Sequence, residues 1–178
     1  YEKKEGTGVE YKYTYDCSNR LVATEEIHLE SGRRFSTNNE YNILSQLVAS
    51  IDEFGNKTTY TYDDLGRQTS VTMPAVPDET GRFVQPVLSY EYDIAGNRLK
   101  STDALNQTTR ASYNIRSQPT EIVYPDGTSE RYIYNLDGTV ASHRATNGMV
   151  THYEYDILGR VITKKCTSFS NAYTTYSE

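Results

Sequence analysis

The chain has 178 residues, 24 acidic against 18 basic, and a formal net charge of −6. With no block of Lys or Arg, that balance argues against nucleic acid as a partner, and no apolar run approaches the roughly 20 residues of a membrane span. Seventeen tyrosines, no tryptophan and 36% hydrophobic residues leave tyrosine to supply much of the surface that folding would bury.

The opening Tyr1-Glu-Lys-Lys-Glu5, with neither Met nor signal peptide, reads as the middle of something longer. Tyrosine followed by Asp or Asn then recurs along the chain: Tyr15-Asp16, Tyr41-Asn42, Tyr62-Asp63, Tyr92-Asp93, Tyr113-Asn114, Tyr134-Asn135 and Tyr155-Asp156. The intervals are 26, 21, 30, 21, 21 and 21 residues, and a fixed period marks a repeat array. The first repeat turns at Asn19, and its extra residues, around Ile27 to Asn39, predict a long hairpin with Ser31-Gly32 at the tip. The second turns at Ser45 and again at Gly55. The third turns at Gly66 and then carries residues 73–86 with three of the five prolines; proline is excluded from central ladder positions, so this stretch predicts a protruding loop. The fourth turns at Gly96 and Asn106, the fifth at Ser117 and Gly127, the sixth at Gly138 and Gly148, and the seventh at Gly159.

The fifth residue of every repeat is thus Gly, Asn or Ser, as a backbone at or near positive φ asks. The Asp or Asn at the second position nucleates the turn by accepting bonds from N–H groups two residues on. Between turns the pattern has period two, which predicts strands. Two residues before the marked tyrosine stand Tyr13, Tyr60, Tyr90, Tyr132 and Tyr153, with Asn39 and Ala111 the exceptions. Two after it stand Ile43, Ile94, Ile115, Leu136 and Ile157, with Cys17 and Asp64 departing. Alternation predicts a Tyr–Tyr–Ile stripe on one face and polar residues on the other. Each repeat is then a β-hairpin whose tyrosines ladder against those of its neighbours, and no repeat is stable alone. The expected fold is all-β: one domain, 1–178, of antiparallel hairpins forming a curved or spiralling sheet. Its raw edges predict self-association.

Chemistry is sparse. Tyr155 and Asp156 are strand neighbours pointing to opposite faces, so they cannot act on one substrate atom, and seven copies suit no single active site. His143 and His152 fall on facing strands of one hairpin, but with no third ligand they predict no metal site. No Walker loop, nucleophile elbow, zinc-protease or dinucleotide motif occurs, so neither catalysis nor a cofactor is expected. Arg20, Arg67 and Arg160 follow the turn residue and are expected to pair with carboxylates or cover tyrosines. Cys17 and Cys166 form no CxxC pair. With strands ~4.8 Å apart, an open sheet holds them on the order of 55–60 Å from each other, far beyond disulfide reach.

Tyr-Asp-x-x-Gly-Arg returning about every 21 residues, with the follow-on Gly55-Asn-Lys-Thr-Thr-Tyr60, resembles the YD repeats of RHS-repeat proteins. That family spans bacterial rearrangement-hotspot proteins, the B and C components of insecticidal toxin complexes, and animal teneurins; the resemblance covers residues 11–166. It implies a sheet of consecutive hairpins spiralling into a hollow shell, in a secreted or cell-surface parent. In bacterial members the shell encloses a C-terminal toxic domain before delivery, and a core motif containing Asp-Pro cleaves the chain ahead of it. This sequence has no Asp-Pro, no toxin-like segment after Cys166, and too few repeats to close a shell. The expectation is a non-catalytic structural segment whose partners are the rest of the parent chain and an encapsulated C-terminal domain. A carbohydrate- or cell-surface-binding module is the alternative, since tyrosine-lined sheets can hold sugar rings.

Overall fold

Short Thr-, Val- and Tyr-rich segments favour a pleated, half-buried backbone, and Asp/Asn-x-x-Gly punctuation ends each one within a few residues. A computed structural model describes residues 2–4, 8–167 and 173–176, and side chains over 8–167; the described residues are strands and turns without helix. The chain divides into two compact units, Tyr1–Ser89 and Tyr90–Glu178.

The first unit contains strands β1 (Glu2–Lys4), β2 (Val9–Tyr15), β3 (Leu21–His28), β4 (Arg34–Tyr41), β5 (Leu47–Ile51), β6 (Lys57–Tyr62) and β7 (Gln68–Thr72). Each pairs antiparallel with the next. The extra length of the first repeat lengthens β3 and β4 to 8 residues each. Their reversal is closed by Gly32, whose N–H donates to the His28 carbonyl at 2.8 Å. Residues 73–86, expected as a loop, form a hairpin of their own: β8 (Val76–Pro77) and β9 (Phe83–Val84) pair around a turn at Asp78–Gly81. Pro77 is tolerated because no third strand asks for its missing N–H. At the base of this hairpin the Met73 N–H donates to the Pro86 carbonyl at 2.9 Å, and Val87–Ser89 resume pairing with β7.

The second unit takes up β10 (Val87–Tyr92) at Tyr90. It continues through β11 (Arg98–Thr102), β12 (Thr108–Tyr113), β13 (Pro119–Val123), β14 (Ser129–Tyr134), β15 (Val140–Arg144), β16 (Val150–Tyr155), β17 (Val161–Thr167) and β18 (Tyr173–Tyr176), again in chain order.

The expected Tyr–Tyr–Ile stripe is corrected at its third member. The first strand of each hairpin (β2, β4, β6, β10, β12, β14 and β16) ends on the marked tyrosine, and the aliphatic residue two further on lies in the turn: Ile43, Ile94, Ile115, Leu136 and Ile157 are 93–103% exposed. The side chain of the intervening Asp or Asn captures backbone N–H groups ahead of it, so the alternation stops one residue early. Among the described residues only Ile27 and Ala49 are buried apolar groups, with Ser142 and Thr151 the buried polar ones. Burial is otherwise partial, and of the tyrosines among residues 8–167 all but Tyr15 share in it.

Candidate functional site

The first turn of each repeat is built from its own side chains. The N–H of the second residue donates to the carbonyl of the sixth, and the N–H of the fifth returns to the carbonyl of the second, as in Asp156–Arg160 at 2.9 Å and Gly159–Asp156 at 3.0 Å. The fifth residue is left-handed throughout: Asn19, Ser45 and Ser117 at φ 59–62°, Gly66, Gly96, Gly138 and Gly159 at 77–93°. Oδ1 of the second residue accepts from the N–H groups of the fourth and sixth for Asp16, Asn42, Asp63, Asp93, Asn114 and Asp156. In the sixth repeat Asp137 takes this part instead, accepting from the N–H and Oγ1 of Thr139.

The remaining atom of the second side chain selects the sixth residue. Where the second is Asp, an acceptor only, the sixth is a donor: Arg20, Arg67 and Arg160 place Nε 2.6–2.7 Å from Asp16, Asp63 and Asp156, and Asn97 gives Nδ2 to Asp93 at 2.8 Å. Where the second is Asn, its Nδ2 donates, and the sixth is an acceptor: Gln46, Gln118 and Thr139. The side-chain bond from Arg20 holds the Asp16 carboxyl below its ordinary range, and the Arg160 N–H followed by its guanidinium does the same for Asp156.

The marked tyrosines tie repeat to repeat. The strand pairs that begin at Tyr15, Tyr41, Tyr62, Tyr113, Tyr134 and Tyr155 slip register there, so that Tyr41 faces Leu47 and Tyr134 faces Val140 with one residue bulged between. The seventh-residue carbonyl at this irregularity receives the phenol of the following repeat. Tyr41 donates to Leu21 O at 3.1 Å, Tyr62 to Leu47 O at 2.8 Å, Tyr113 to Arg98 O at 3.2 Å, Tyr134 to Pro119 O at 2.8 Å and Tyr155 to Val140 O at 2.9 Å. A displaced carbonyl thereby keeps a donor. Tyr15, which opens the series, is 55% exposed.

These tyrosines share one face with the tyrosine two residues earlier. The alternate residues form the other face, where Lys57–Glu40, Lys100–Glu91, Arg131–Glu121 and Lys165–Glu154 pair at 2.7–2.9 Å. Being exposed, such pairs contribute roughly 0–1 kcal/mol each.

One cluster on the tyrosine face carries polar chemistry that sequence reasoning missed. Tyr132 donates to Glu130 Oε2 at 2.6 Å, His143 Nε2 lies 3.3 Å from the same oxygen, and the His143 ring stacks on Tyr132 at 4.6 Å. The bond to the Glu130 carboxylate, with burial, pushes the Tyr132 phenol well above its ordinary value; Tyr132 in turn holds Glu130 low. A phenol held protonated and a carboxylate held charged make a structural pair. The signal was available: Glu130 is the one charged residue in a column that reads Tyr11, Thr37, Thr58, Leu88, Thr109 and Thr151 in the other repeats. His143 and His152, on facing strands of one hairpin as expected, do not meet. His143 faces Thr151 and His152 faces Ser142, so the rings lie on opposite faces. Among the described residues no group of three His, Cys, Asp or Glu could hold a metal, and Cys17 and Cys166 are free thiols.

A model of the RHS repeat matches residues 41–75. A curated relative, the double-stranded DNA deaminase toxin A of Burkholderia cenocepacia (strain H111), is 31% identical over 116 residues, covering 64% of this chain and 7% of its own length. Two solved structures share the fold: TcdB2-TccC3 without its hypervariable C-terminal region (TM-score 0.71, 17% identity, 93% of this chain and 9% of that one), and TcdB2-TccC3-TEV (TM-score 0.71, 18% identity, 95% and 10%). Residues 41–75 are an RHS repeat, and the chain around them shares the fold of these structures. The chain spans a tenth or less of the relatives it matches.

Two departures from the RHS repeat open the tyrosine face. Where Asn39 replaces the earlier tyrosine, a depression of about 250 Å³ is lined by Thr37, Asn39, Ser50, Asp52, Asn56 and Thr58 among others. Where Ala111 replaces it, one of about 240 Å³ includes Arg98, Ser101, Thr109, Tyr113 and Ile122 in its lining. Asn39 partly answers the loss itself, its Nδ2 donating to the Leu21 carbonyl at 3.2 Å beside the Tyr41 phenol.

Proposed function

We propose that the chain is a non-catalytic wall segment of an RHS-type shell, in which the parent protein encloses a C-terminal toxin or effector and helps deliver it. The observation that carries this reading is the phenol-to-carbonyl bond by which Tyr41, Tyr62, Tyr113, Tyr134 and Tyr155 join their repeats to the ones before, which spends the repeated polar groups on joining hairpins. The likeness to a TcdB2-TccC3 assembly and to a deaminase toxin supports a toxin-bearing parent, secreted or at the cell surface. Limited proteolysis of the longest natural chain carrying these repeats tests it. The segment after the repeats should resist cleavage while the intact protein is folded and become sensitive once the shell is opened by mild denaturant. Equal cleavage in both states would remove the enclosing role.

One observation favours a second reading, a carbohydrate-binding module. The Asn39 depression is rich in hydroxyl and amide groups of the kind that bind sugar hydroxyls. A glycan array followed by titration of the free chain decides between the two, and absence of binding at millimolar sugar removes this option.

A further inference from the structure

The Ala111 vacancy differs from the Asn39 vacancy in combining an aliphatic and an aromatic wall, Ile122 and Tyr113, with the arginines Arg98 and Arg110. Ala111 faces Ile122 across the ladder, with Tyr113 two residues along the same strand, and Ser101 faces Thr109 at the polar end. In five of the seven repeats a tyrosine ring fills the equivalent position. The filled versions show the contacts such a ring makes: Tyr132 lies 4.6 Å from the facing His143 ring and 6.5 Å from Tyr134, and Tyr153 lies 6.5 Å from Tyr155. Ala111 leaves that place empty while its neighbours keep the spacing of the array. Arg98 also lines the vacancy. Its guanidinium sits 5.6 Å from the Tyr90 ring centre and has no carboxylate partner among the described residues, so a second aromatic face remains complementary to its charge.

From this we propose that the Ala111 vacancy is a binding site for one aromatic ring, taken as a tyrosine or phenylalanine side chain of polypeptide lying against the tyrosine face. The ring occupies the place of the missing tyrosine, packs on Ile122 and Tyr113, and meets the Arg98 cation; a phenolic hydroxyl reaches the Ser101–Thr109 end. The inference stands on the geometry of one repeat and holds whether or not the parent forms a shell.

Titrating the 178-residue chain with p-cresol, followed by amide NMR, tests it. Saturable shifts in the millimolar range are expected at Ser101, Thr109, Ala111, Tyr113 and Ile122. They should be lost in Ala111→Tyr, which fills the site from within. Arg98→Gln should weaken binding about two- to fivefold, the factor an exposed cation–π contact supplies. The Asn39 vacancy, whose hydroxyl and amide lining also includes Ile51 and Pro74 but no arginine, serves as an internal control and should not shift. Absence of saturation, equal shifts at Thr37, Ser50 and Thr58, or undiminished binding by a folded Ala111→Tyr chain overturns the proposal. Should Ala111→Tyr fail to fold, unchanged affinity in Arg98→Gln overturns it equally.

Discussion

Replacing Tyr134 by Phe removes one atom, the hydroxyl that donates to the Pro119 carbonyl at 2.8 Å, and leaves the ring in its half-buried place. That carbonyl belongs to the residue facing Tyr113 where the register slips, so the ladder offers it no regular replacement. A neutral hydrogen bond contributes roughly 0.5–1.5 kcal/mol net, and partial exposure lets water recover part of the loss. The expected cost is about 1 kcal/mol, or some 2–4 °C in Tm for a chain of this size. Tyr155→Phe, which frees the Val140 carbonyl from a bond of 2.9 Å, should cost a similar amount; Tyr113→Phe, losing a longer, exposed bond of 3.2 Å, should cost less. Tyr134 faces Val140 in register, so the first two share a hairpin and their double variant should deviate from additivity. Urea unfolding followed by circular dichroism measures all four. Losses below about 0.3 kcal/mol at both Tyr134 and Tyr155, within the error of such comparisons, would show that water serves these carbonyls as well as the phenols do, and the joining role assigned to them would fail.

Three further outcomes follow from the turns and the titrating groups. Gly159→Val forces a β-branched residue to φ 77° in space that is otherwise open, so strain alone should cost about 1–2 kcal/mol or more; melting of the variant measures it, and an unchanged Tm refutes the assignment. Ser117→Gly relieves the same conformation at φ 59° and should raise Tm, by about 1 kcal/mol less the entropy glycine adds to the unfolded chain. Asp16, Asp63, Asp93 and Asp156 all have depressed carboxyl pKa values. Their contribution is therefore fully present above the unfolded value near 4 and lost as pH falls through the folded values, whereas Tyr132 and Tyr134, both raised, lose theirs as pH climbs past about 10. Thermal melts from pH 2 to 11 should show a plateau with both shoulders, and Asp156→Asn should flatten the acid one.

What the sequence disclosed depended on whether the signal was a local backbone demand. A left-handed fifth residue is such a demand, and Gly, Asn and Ser reveal it in all seven repeats. Position three was misread because alternation was carried two residues past the strand, through side-chain bonds that a period-two pattern does not contain. For the histidines, parity excludes a meeting of the two rings. In the β15–β16 ladder facing residues sum to 294, as His143 with Thr151, whereas 143 and 152 sum to an odd number and must lie on opposite faces. The pairing of second and sixth residues was legible and went unread: Asp with Arg or Asn, Asn with Gln or Thr, is donor–acceptor matching visible in the letters alone. The phenol bonds were not legible, because their acceptors are displaced by a bulge that only the register shows.

The same bonds account for where the array changes length. Both long intervals add their residues beyond the second strand, at the second turn: β3 and β4 are extended in one, and the β8–β9 hairpin is inserted in the other. No repeat has a lengthened first turn. An insertion there would part the second residue from the sixth and carry the seventh-residue carbonyl away from the next tyrosine, losing bonds in two repeats at once. At the second turn an insertion disturbs only its own closure, and loop-closure entropy grows slowly with length. After the inserted hairpin, Val87 still faces Thr72. The first turns therefore hold the phase of the array, and the second turns are where it can acquire new surface.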